Sequence, residues 1–197
     1  MDALKFKKYK GREIEEILSP LSDLRITIFR DFPYLYEGTH EYEMHYLQTY
    51  VNSEKALVFT VWDDNQMVGA CTCIPLTEET EEVQKPFIEK HLPIETIFYF
   101  GESLLMKSYR GLGIGHRFFD EREKHAASFR IYSDAYFCSV IRQEKHPLKP
   151  IDYHPNDIFW TKRNYKKVPG LICKMSWKDI DEQEESNKEL VFWHKSL

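Results

Sequence analysis

The chain has 197 residues, of which 42% are hydrophobic and 15% aromatic, and its 27 basic and 32 acidic side chains give a net charge of −5. This apolar content is enough for a packed core and excludes a disordered chain, and the lack of a basic excess argues against a nucleic-acid-binding protein. The sequence contains no run of about 18 apolar residues, so no membrane span is predicted. Met1 to Lys10 lacks the apolar centre of a signal peptide. We therefore expect one cytoplasmic domain over residues 1–197.

The first half of the chain is predicted to form helices and then a β-hairpin. Apolar residues recur at helical spacing over 13–30, and Ser19-Pro20 interrupts them, which predicts a second helix with Ser19 as its cap and Pro20 at its first position. An aromatic stretch follows over 29–38. The other predicted elements are a helix over 41–51, strands over 56–62 and 67–75 around a turn at 63–66, a solvated acidic segment over 77–82, and a short helix over 84–91.

The second half is predicted to alternate strands and helices. A strand over 96–107, a glycine-rich turn, a helix over 115–128 and a strand over 131–141 form a βαβ unit, which implies two parallel strands. The prolines within 143–155 indicate a loop. A short helix over 156–165 with Asn156 as its cap, a strand over 171–177, a polar loop over 178–188 and a strand over 190–194 complete the prediction.

The turn Arg110-Gly111-Leu112-Gly113-Ile114-Gly115 has the features of an anion site. A glycine turn at the start of a helix presents unpaired N–H groups and the positive end of the helix dipole to one point, and Arg110 adds a fixed positive charge. The simpler alternative is a tight turn in which the glycines only permit positive φ. Three alternating glycines at a strand-to-helix junction are more than a tight turn requires, which favours the anion site.

Two common phosphate-binding loops do not match this turn. A nucleotide triphosphate loop ends in Gly-Lys-Ser/Thr, whereas His116-Arg117 stands there. A dinucleotide fingerprint beginning at Gly111 requires glycine at position 116, which is His116, and its βαβ unit normally opens the chain. A nucleotide-dependent enzyme is therefore the weaker alternative.

Residues 108–115 resemble the acetyl-CoA signature of the GNAT acetyltransferase superfamily, R/Q-x-x-G-x-G/A, with Arg110, Gly113 and Gly115 at its defining positions. The order of predicted elements from Glu13 onwards is also similar to that superfamily. The resemblance implies an α/β (mixed α+β) GNAT fold. Its central sheet would be mixed and twisted, with about six to seven strands, a splayed parallel pair and about four flanking helices.

The resemblance also implies acetyl-CoA as co-substrate, lying between the splayed strands. Its pantetheine arm would pair with the free edge of the strand before the signature, and its diphosphate would lie on the glycine turn. The residues implied in cofactor binding are Leu104, Leu105, Met106, Arg110, Gly111, Leu112, Gly113, Ile114, Gly115, His116, Asn156 and Trp160.

Glu102 is the candidate general base. A carboxylate in an otherwise apolar strand is costly unless it is paired or functional, and members of this superfamily often carry a base there. An outward-facing or salt-bridged glutamate is the alternative. In many relatives a tyrosine protonates the leaving thiolate, and Trp160 occupies that position here. Because an indole N–H is not a usable acid, Tyr99, Tyr153 or water would have to act instead.

The aromatic stretch is the candidate acceptor site, since the matching region of the superfamily walls that site. Phe32, Tyr34, Tyr36 and Tyr99 are the candidate substrate-binding residues, because aromatic faces attract a cationic amine. A packing cluster around Pro33 is the equally open alternative.

No metal site is expected. Cys71 and Cys73 lack the second ligand pair that a zinc site requires. Cys138 is expected to pack in the core rather than to form an acyl intermediate, because no histidine is placed to activate it. The predicted function is transfer of an acetyl group to a primary amine. A catalytically silent acyl-CoA sensor is the alternative, and a homodimer through the final strand remains open.

Overall fold

Eight strands form one mixed sheet in the computed structural model, which describes residues 4–197. The order across the sheet is β1-β2-β3-β4-β6-β8-β7, and β5 pairs with β3 off this path. The strands are β1 (Lys5–Lys10), β2 (Leu57–Asp63), β3 (Gln66–Pro75), β4 (Ile97–Tyr99), β5 (Ser103–Leu105), β6 (Asp134–Val140), β7 (Lys166–Trp177) and β8 (Ser186–Ser196). The expectations for residues 1–3 lie outside the described part of the chain.

Five α-helices cover the two faces of the sheet, which gives three layers. They are α1 (Leu18–Phe29), α2 (His40–Val51), α3 (Glu81–Glu89), α4 (Ile114–Ser128) and α5 (Asp157–Lys162). The first three pack on one face and the last two on the other. Side chains alternate between the two cores along each strand, so that Tyr99 faces α1 to α3 while Phe98 and Phe100 face α4.

The sheet has more strands than predicted, because β1 was not predicted and the predicted strand over 96–107 is two strands. The six residues of β1 read Lys-Phe-Lys-Lys-Tyr-Lys, and only Phe6 and Tyr9 of the strand are partly buried. They pair antiparallel with β2, with Phe6 opposite Val61. Lysines on an edge strand hinder pairing with other chains, and they conceal the alternation that normally reveals a strand.

The predicted strand over 96–107 is wrong, because it is two short strands in different places. β4 runs parallel to β6, with Tyr99 opposite Tyr136. β5 instead lies antiparallel to β3, with Leu104 opposite Ala70. The three residues between β4 and β5 carry the chain from one neighbour to the other, and this change creates the opening described below.

Other boundaries also differ from prediction. α1 begins at Leu18 after a 3-10 turn over Gly11–Ile17, so Ser19 is not its cap and Pro20 lies inside its first turn, where a missing N–H is tolerated. The acidic segment is not wholly solvated, because Glu79 is 5% exposed. Strands β7 and β8 are longer than predicted, and a register shift between Lys167 and Ile172 interrupts their pairing. No helix within residues 4–197 is long and apolar enough to cross a membrane.

Candidate functional site

A gap opens in the sheet where β4 ends. The Phe100 N–H still donates to the Tyr136 carbonyl at 2.7 Å, but the next N–H, of Gly101, donates to the Thr72 carbonyl of β3 at 3.1 Å. Beyond this point β6 continues to Val140 with β8 as its only partner, while β5 follows β3. The predicted parallel pair is therefore present and splayed.

Alternate residues of β5 and of the residues on either side of it bond to β3, so their backbone groups point away from this gap. The Glu102 carbonyl accepts from the Thr72 N–H at 3.1 Å, and the Met106 N–H donates to the Val68 carbonyl at 3.0 Å. By alternation Leu104, opposite Ala70, also bonds to β3. The predicted backbone pairing through Leu104 and Met106 therefore does not fit.

The neighbouring residues of β5, Ser103 and Leu105, point their backbone groups to the gap instead. The Leu105 carbonyl accepts from Arg110 Nε at 3.2 Å. A flexible ligand with amide groups can pair with this edge in the way that a further strand would. Of the three strand residues implied by the resemblance, only Leu105 is placed for that role.

The glycine turn forms the N-terminal end of α4 at one end of the gap. Gly111 and Gly113 both have φ of +80°, and a Cβ at either position would meet no atom within 4 Å. Gly113 is the N-cap of α4, whose first turn holds no acidic residue. The first N–H groups of a helix have no partner within it. The positive φ angles thus require glycine, and the open space beside them is available to an anion.

A cleft of about 1500 Å³ joins this turn to the gap between β5 and β6. Most of the predicted cofactor residues line it, and Leu104, Met106, Leu112 and Ile114 do not. Leu112 is 65% exposed to solvent, whereas Leu104 and Ile114 are buried beneath the site. The predicted residues in the cleft wall are Glu102, Leu105, Arg110, Gly111, Gly113, Gly115, His116, Asn156 and Trp160.

Arg122 supports the chain where it changes partners. This residue of α4 is 1% exposed, and its guanidinium donates to the Glu102 carbonyl at 3.1 Å, to Ser103 Oγ at 2.8 Å and to the Phe118 carbonyl at 3.2 Å. The group also lies over the ring of Phe100 at 4.7 Å. A buried arginine bonded to neutral acceptors costs desolvation energy, and it fixes the backbone of the splayed segment.

Glu102 projects to the opposite side of the sheet and joins a buried charge cluster. It is 8% exposed. Its Oε1 forms an ion pair with Arg25 of α1, which also pairs with Glu43 of α2, and its Oε2 accepts from Thr72 Oγ1 at 2.5 Å. Glu102 is therefore salt-bridged, as the alternative predicted, and it also lines the cleft. Its role as a general base stays a prediction. Two carboxylates against one guanidinium leave an excess negative charge at this place.

Gly101 lets the groups around Glu102 approach the backbone. A Cβ at this position would lie 2.2 Å from Tyr50 Oη and 2.5 Å from Thr72 Oγ1, both of which are on buried residues. We expect Gly101→Ala to destabilise the fold by about 1–3 kcal/mol, since overpacking a core costs that much. Urea unfolding measures the difference.

Gly115→Ala is the matched control for this prediction. Its Cβ would be 3.5 Å from Phe159, an ordinary contact, and alanine in a helix is favoured over glycine. Equal stability of the two variants would contradict the close approach at Gly101.

The aromatic stretch forms one wall of the cleft, but only in part. Phe32 and Tyr34 line it, together with Tyr153, whose ring packs edge-on against Phe32 at 4.7 Å between centroids. Burial raises the pKa of Tyr34 and of Tyr153 above the ordinary value. The stretch is held by Arg142, which donates to the carbonyl groups of Pro33 and Tyr34 and pairs with Asp179.

The other two candidate substrate residues lie outside the cleft wall. Tyr36 packs against Tyr42, and burial and the nearby Glu43 carboxylate raise its pKa. Tyr99 is 3% exposed, and its hydroxyl lies 3.0 Å from Cys138 Sγ. Their prediction as substrate contacts does not fit these positions.

Cys138 packs against the core as predicted, but it is only partly buried and also lines the cleft. Hydrogen bonds from Cys173 and Tyr99 lower the pKa of its thiol, against the effect of burial. No imidazole hydrogen-bonds to this thiol among residues 4–197.

Trp160 and Asn156 lie on the α4 side of the cleft. The Trp160 ring packs on Phe137 and Trp193 at 5.0 Å from each, and it forms part of the cleft wall on that side. Asn156 precedes α5 as predicted, but its side chain does not cap that helix. Within the described chain no three histidine, cysteine, aspartate or glutamate side chains converge as a metal site requires, and a metal-independent reaction stays a prediction.

We compared the sequence and the structure with those of known proteins. No protein-family model matches the chain, and no curated protein matches it either. Solved structures do match. Arabidopsis thaliana NAA60 in complex with a bisubstrate analogue has a TM-score of 0.61 at 13% identity, with 99% of each chain covered. An aminoglycoside 6'-N-acetyltransferase complexed with coenzyme A has a TM-score of 0.58 at 16% identity, with coverage of 98% of this chain and 96% of that one.

A third similar structure is described as an acetyltransferase of the GNAT family. It comes from Streptococcus pneumoniae, and it matches with a TM-score of 0.59 at 10% identity over 99% of each chain. At such low identities the likeness establishes the fold alone. The three layers, the splayed parallel pair β4–β6 and these neighbours together confirm the predicted architecture, and the chain has the GNAT fold.

Proposed function

We propose that this protein is an N-acetyltransferase that moves an acetyl group from acetyl-CoA to a primary amine by direct attack. One observation carries the proposal. A single cleft joins the open N-terminal end of a helix at Gly113, the edge of β5 at Ser103 and Leu105 that does not face β3, and a buried carboxyl group at Glu102. A diphosphate, an amide-containing arm and an amine acceptor require these three features.

The described residues fit acetyl-CoA as a substrate. The α4 N–H groups and Arg110 supply donors and positive charge for a diphosphate, and the Arg110 side chain is anchored beside the turn by its hydrogen bond to the Leu105 carbonyl. Ser103 and Leu105 offer backbone groups to the amides of the pantetheine arm. Such an arm would carry its thioester towards the place where β4 and β6 separate, next to Glu102.

The reaction requires a neutral amine and a route for its proton. The amine nitrogen attacks the thioester carbonyl carbon, the C–S bond breaks, and the CoA thiolate leaves. Glu102 removes the proton of the attacking nitrogen, directly or through water. In the cluster of Arg25, Glu43 and Glu102, two carboxyl groups face one guanidinium; this excess of acidic groups favours the approach of a cationic amine.

Binding to acetyl-CoA tests the first half of the proposal. We expect calorimetric titration to show selective binding of acetyl-CoA and CoA over ATP and NAD, because only the CoA ligands carry both a diphosphate and a pantetheine arm. A folded protein that binds none of the CoA ligands would remove the assignment. Preference for ATP or NAD would favour the nucleotide-dependent alternative.

An acyl-CoA sensor is the second candidate, and Trp160 is the observation that favours it. The indole packs between Phe137 and Trp193, and its N–H is no acid for a leaving thiolate. Release of CoA thiol in the presence of a panel of primary amines separates the two functions. Tight binding of acetyl-CoA without any amine-dependent thiol release would establish the sensor.

A further inference from the structure

Glu79 is a buried carboxyl group that the reaction as described above does not use. It lies between β3 and α3, is 5% exposed, and does not line the cleft. Its Oε1 accepts from Tyr46 Oη at 3.3 Å. Its Oε2 is buried and has no hydrogen-bond partner among the described residues. A buried carboxyl group with an unsatisfied oxygen is costly in its ionised form.

A chain of hydroxyl groups connects Glu79 with Glu102. Tyr46 Oη lies 3.3 Å from Tyr50 Oη. Tyr50 Oη and Thr72 Oγ1 both lie against Gly101, at 2.2 Å and 2.5 Å from the point that a Cβ would occupy there, so these two hydroxyl groups are neighbours. Thr72 Oγ1 in turn donates to Glu102 Oε2 at 2.5 Å. Each hydroxyl group in this series can both donate and accept, so the series can pass a proton between the two carboxyl groups.

The surroundings of Glu79 determine its protonation. Burial raises its pKa to about 7, while the Tyr46 hydroxyl and Arg25 of α1 oppose this shift and Glu82 of α3 adds to it. The other titratable groups that face it are Tyr50 of α2, Tyr99 of β4 and Cys138 of β6. Glu79 thus differs from Glu102, which the Arg25 guanidinium contacts directly.

We propose that Glu79 is the final acceptor of the proton that Glu102 removes from the amine, through Thr72, Tyr50 and Tyr46. This inference rests on the proposed acetyltransferase function. Protonated Glu102 gives its proton to Thr72 Oγ1, Thr72 passes its own to Tyr50, Tyr50 to Tyr46, and Tyr46 to Glu79. One proton enters and one is held at Glu79, so each hydroxyl group keeps one hydrogen but donates it in the opposite direction. Before the next turnover Glu79 loses its proton to solvent, and the Thr72 hydroxyl turns back to donate to Glu102 Oε2, as it does in the structure. Glu79 acts through other groups and is a positioning residue.

The pH dependence of turnover tests the relay. We expect kcat of the unmodified enzyme to rise with pH as Glu79 ionises and becomes able to accept a proton. Glu79→Gln removes the acceptor and Tyr46→Phe interrupts the series. Both variants should lower kcat at least tenfold and remove this rise, with KM for acetyl-CoA unchanged. Unaltered pH profiles in both variants would overturn the relay.

Matched controls lie on the same segments. Glu78→Gln changes an exposed neighbour of Glu79, and Tyr42→Phe removes a hydroxyl from α2 at a residue that is 55% exposed. Both should keep the unmodified rate and profile. If kcat of either control lost its rise with pH to the same extent as kcat of Glu79→Gln, the loss would be a general effect of charge or packing. That result would overturn the relay.

A stability measurement reports on Glu79 without any turnover. A carboxyl group with a raised pKa in the folded state, from 4.5 to about 7 here, stabilises the fold when protonated. Its contribution is complete below 4.5 and disappears as pH rises through 7, because the unfolded chain releases this proton first. Between pH 4.5 and about 7 the folding equilibrium constant of the unmodified protein should decrease as the pH rises. For each pH unit this decrease should exceed that of Glu79→Gln by a factor of up to about ten.

The two readouts distinguish the possible failures. Equal pH dependence of stability in the unmodified protein and Glu79→Gln would overturn Glu79 as the proton store, even if amines are acetylated. The expected stability difference together with no amine-dependent thiol release would overturn the acetyltransferase function, and the relay with it.

Discussion

Replacement of Gly113 by glutamate is expected to lower the affinity for acetyl-CoA by at least about 100-fold, since like charges placed together cost several kcal/mol. The new carboxylate would project from the N-cap of α4 into the open space beside the glycine turn. There it would occupy the place of the diphosphate and repel it. Calorimetric titration with acetyl-CoA measures the loss.

Gly170→Glu provides a closely matched control. Gly170 lies in β7, outside the cleft, with φ of +74° against +80° for Gly113, and a Cβ would meet nothing within 4 Å at either position. Both variants therefore carry the same backbone strain, and only one places a charge in the cleft. Normal affinity in Gly113→Glu, or an equal loss in Gly170→Glu, would refute the assignment of the turn as the diphosphate site.

Replacement of Glu102 by glutamine should lower kcat by about 10²–10⁴-fold, the usual contribution of a general base. Glutamine keeps the shape of the side chain and can accept from Thr72, but it cannot take a proton from the amine. Affinity for acetyl-CoA should remain, because the anion end of the cleft is unchanged. Steady-state kinetics over a range of pH and a parallel titration with acetyl-CoA measure the two quantities.

The ion pair with Arg25 requires a control in this experiment, because loss of one partner of a buried pair destabilises a fold by about 3–5 kcal/mol. Retained acetyl-CoA binding shows that the variant is folded at the assay temperature. Glu95→Gln removes an exposed carboxylate and should leave kcat unchanged. A Glu102→Gln enzyme with normal kcat and an unchanged pH profile would exclude Glu102 as the base.

The glycine turn and its place between a strand and a helix could be predicted because both depend on local rules. Positive φ angles at Gly111 and Gly113 and the start of α4 at Ile114 lie where the sequence indicates them. The parallel pair also followed from the βαβ order. The change of partner at Gly101 could not be predicted in this way, because it depends on which strand accepts each hydrogen bond.

Two buried arginines of the site carried a signal that the sequence analysis did not use. Arg25 follows Leu18, Leu21 and Ser22 at helical spacing, which places it on the buried face of α1. In α4, Arg122 shares the face of Phe118, Phe119 and Ala126. A charged residue at a core position of a helix indicates a buried polar partner.

Glu79 gave no such signal. It lies in an acidic run whose other members, Glu78, Glu81 and Glu82, are exposed. Its burial depends on contact with Tyr46 of α2, which is 33 residues away in the chain. A single sequence cannot show a contact of this kind without a periodic pattern, and the acidic composition favours the opposite interpretation.

Helix α4 connects the two ends of the cleft as one rigid element. Its first turn presents N–H groups that have no partner within the helix, and Arg122, eight residues after Ile114, donates to the Glu102 carbonyl and to Ser103 Oγ. At 1.5 Å per residue these two points are about 12 Å apart along the axis. The separation is therefore set by helix geometry and not by loops. If the proposed function is correct, this separation sets the distance between the diphosphate and the thioester, and a thioester whose arm lacks a diphosphate at that spacing would contact only one end of the cleft.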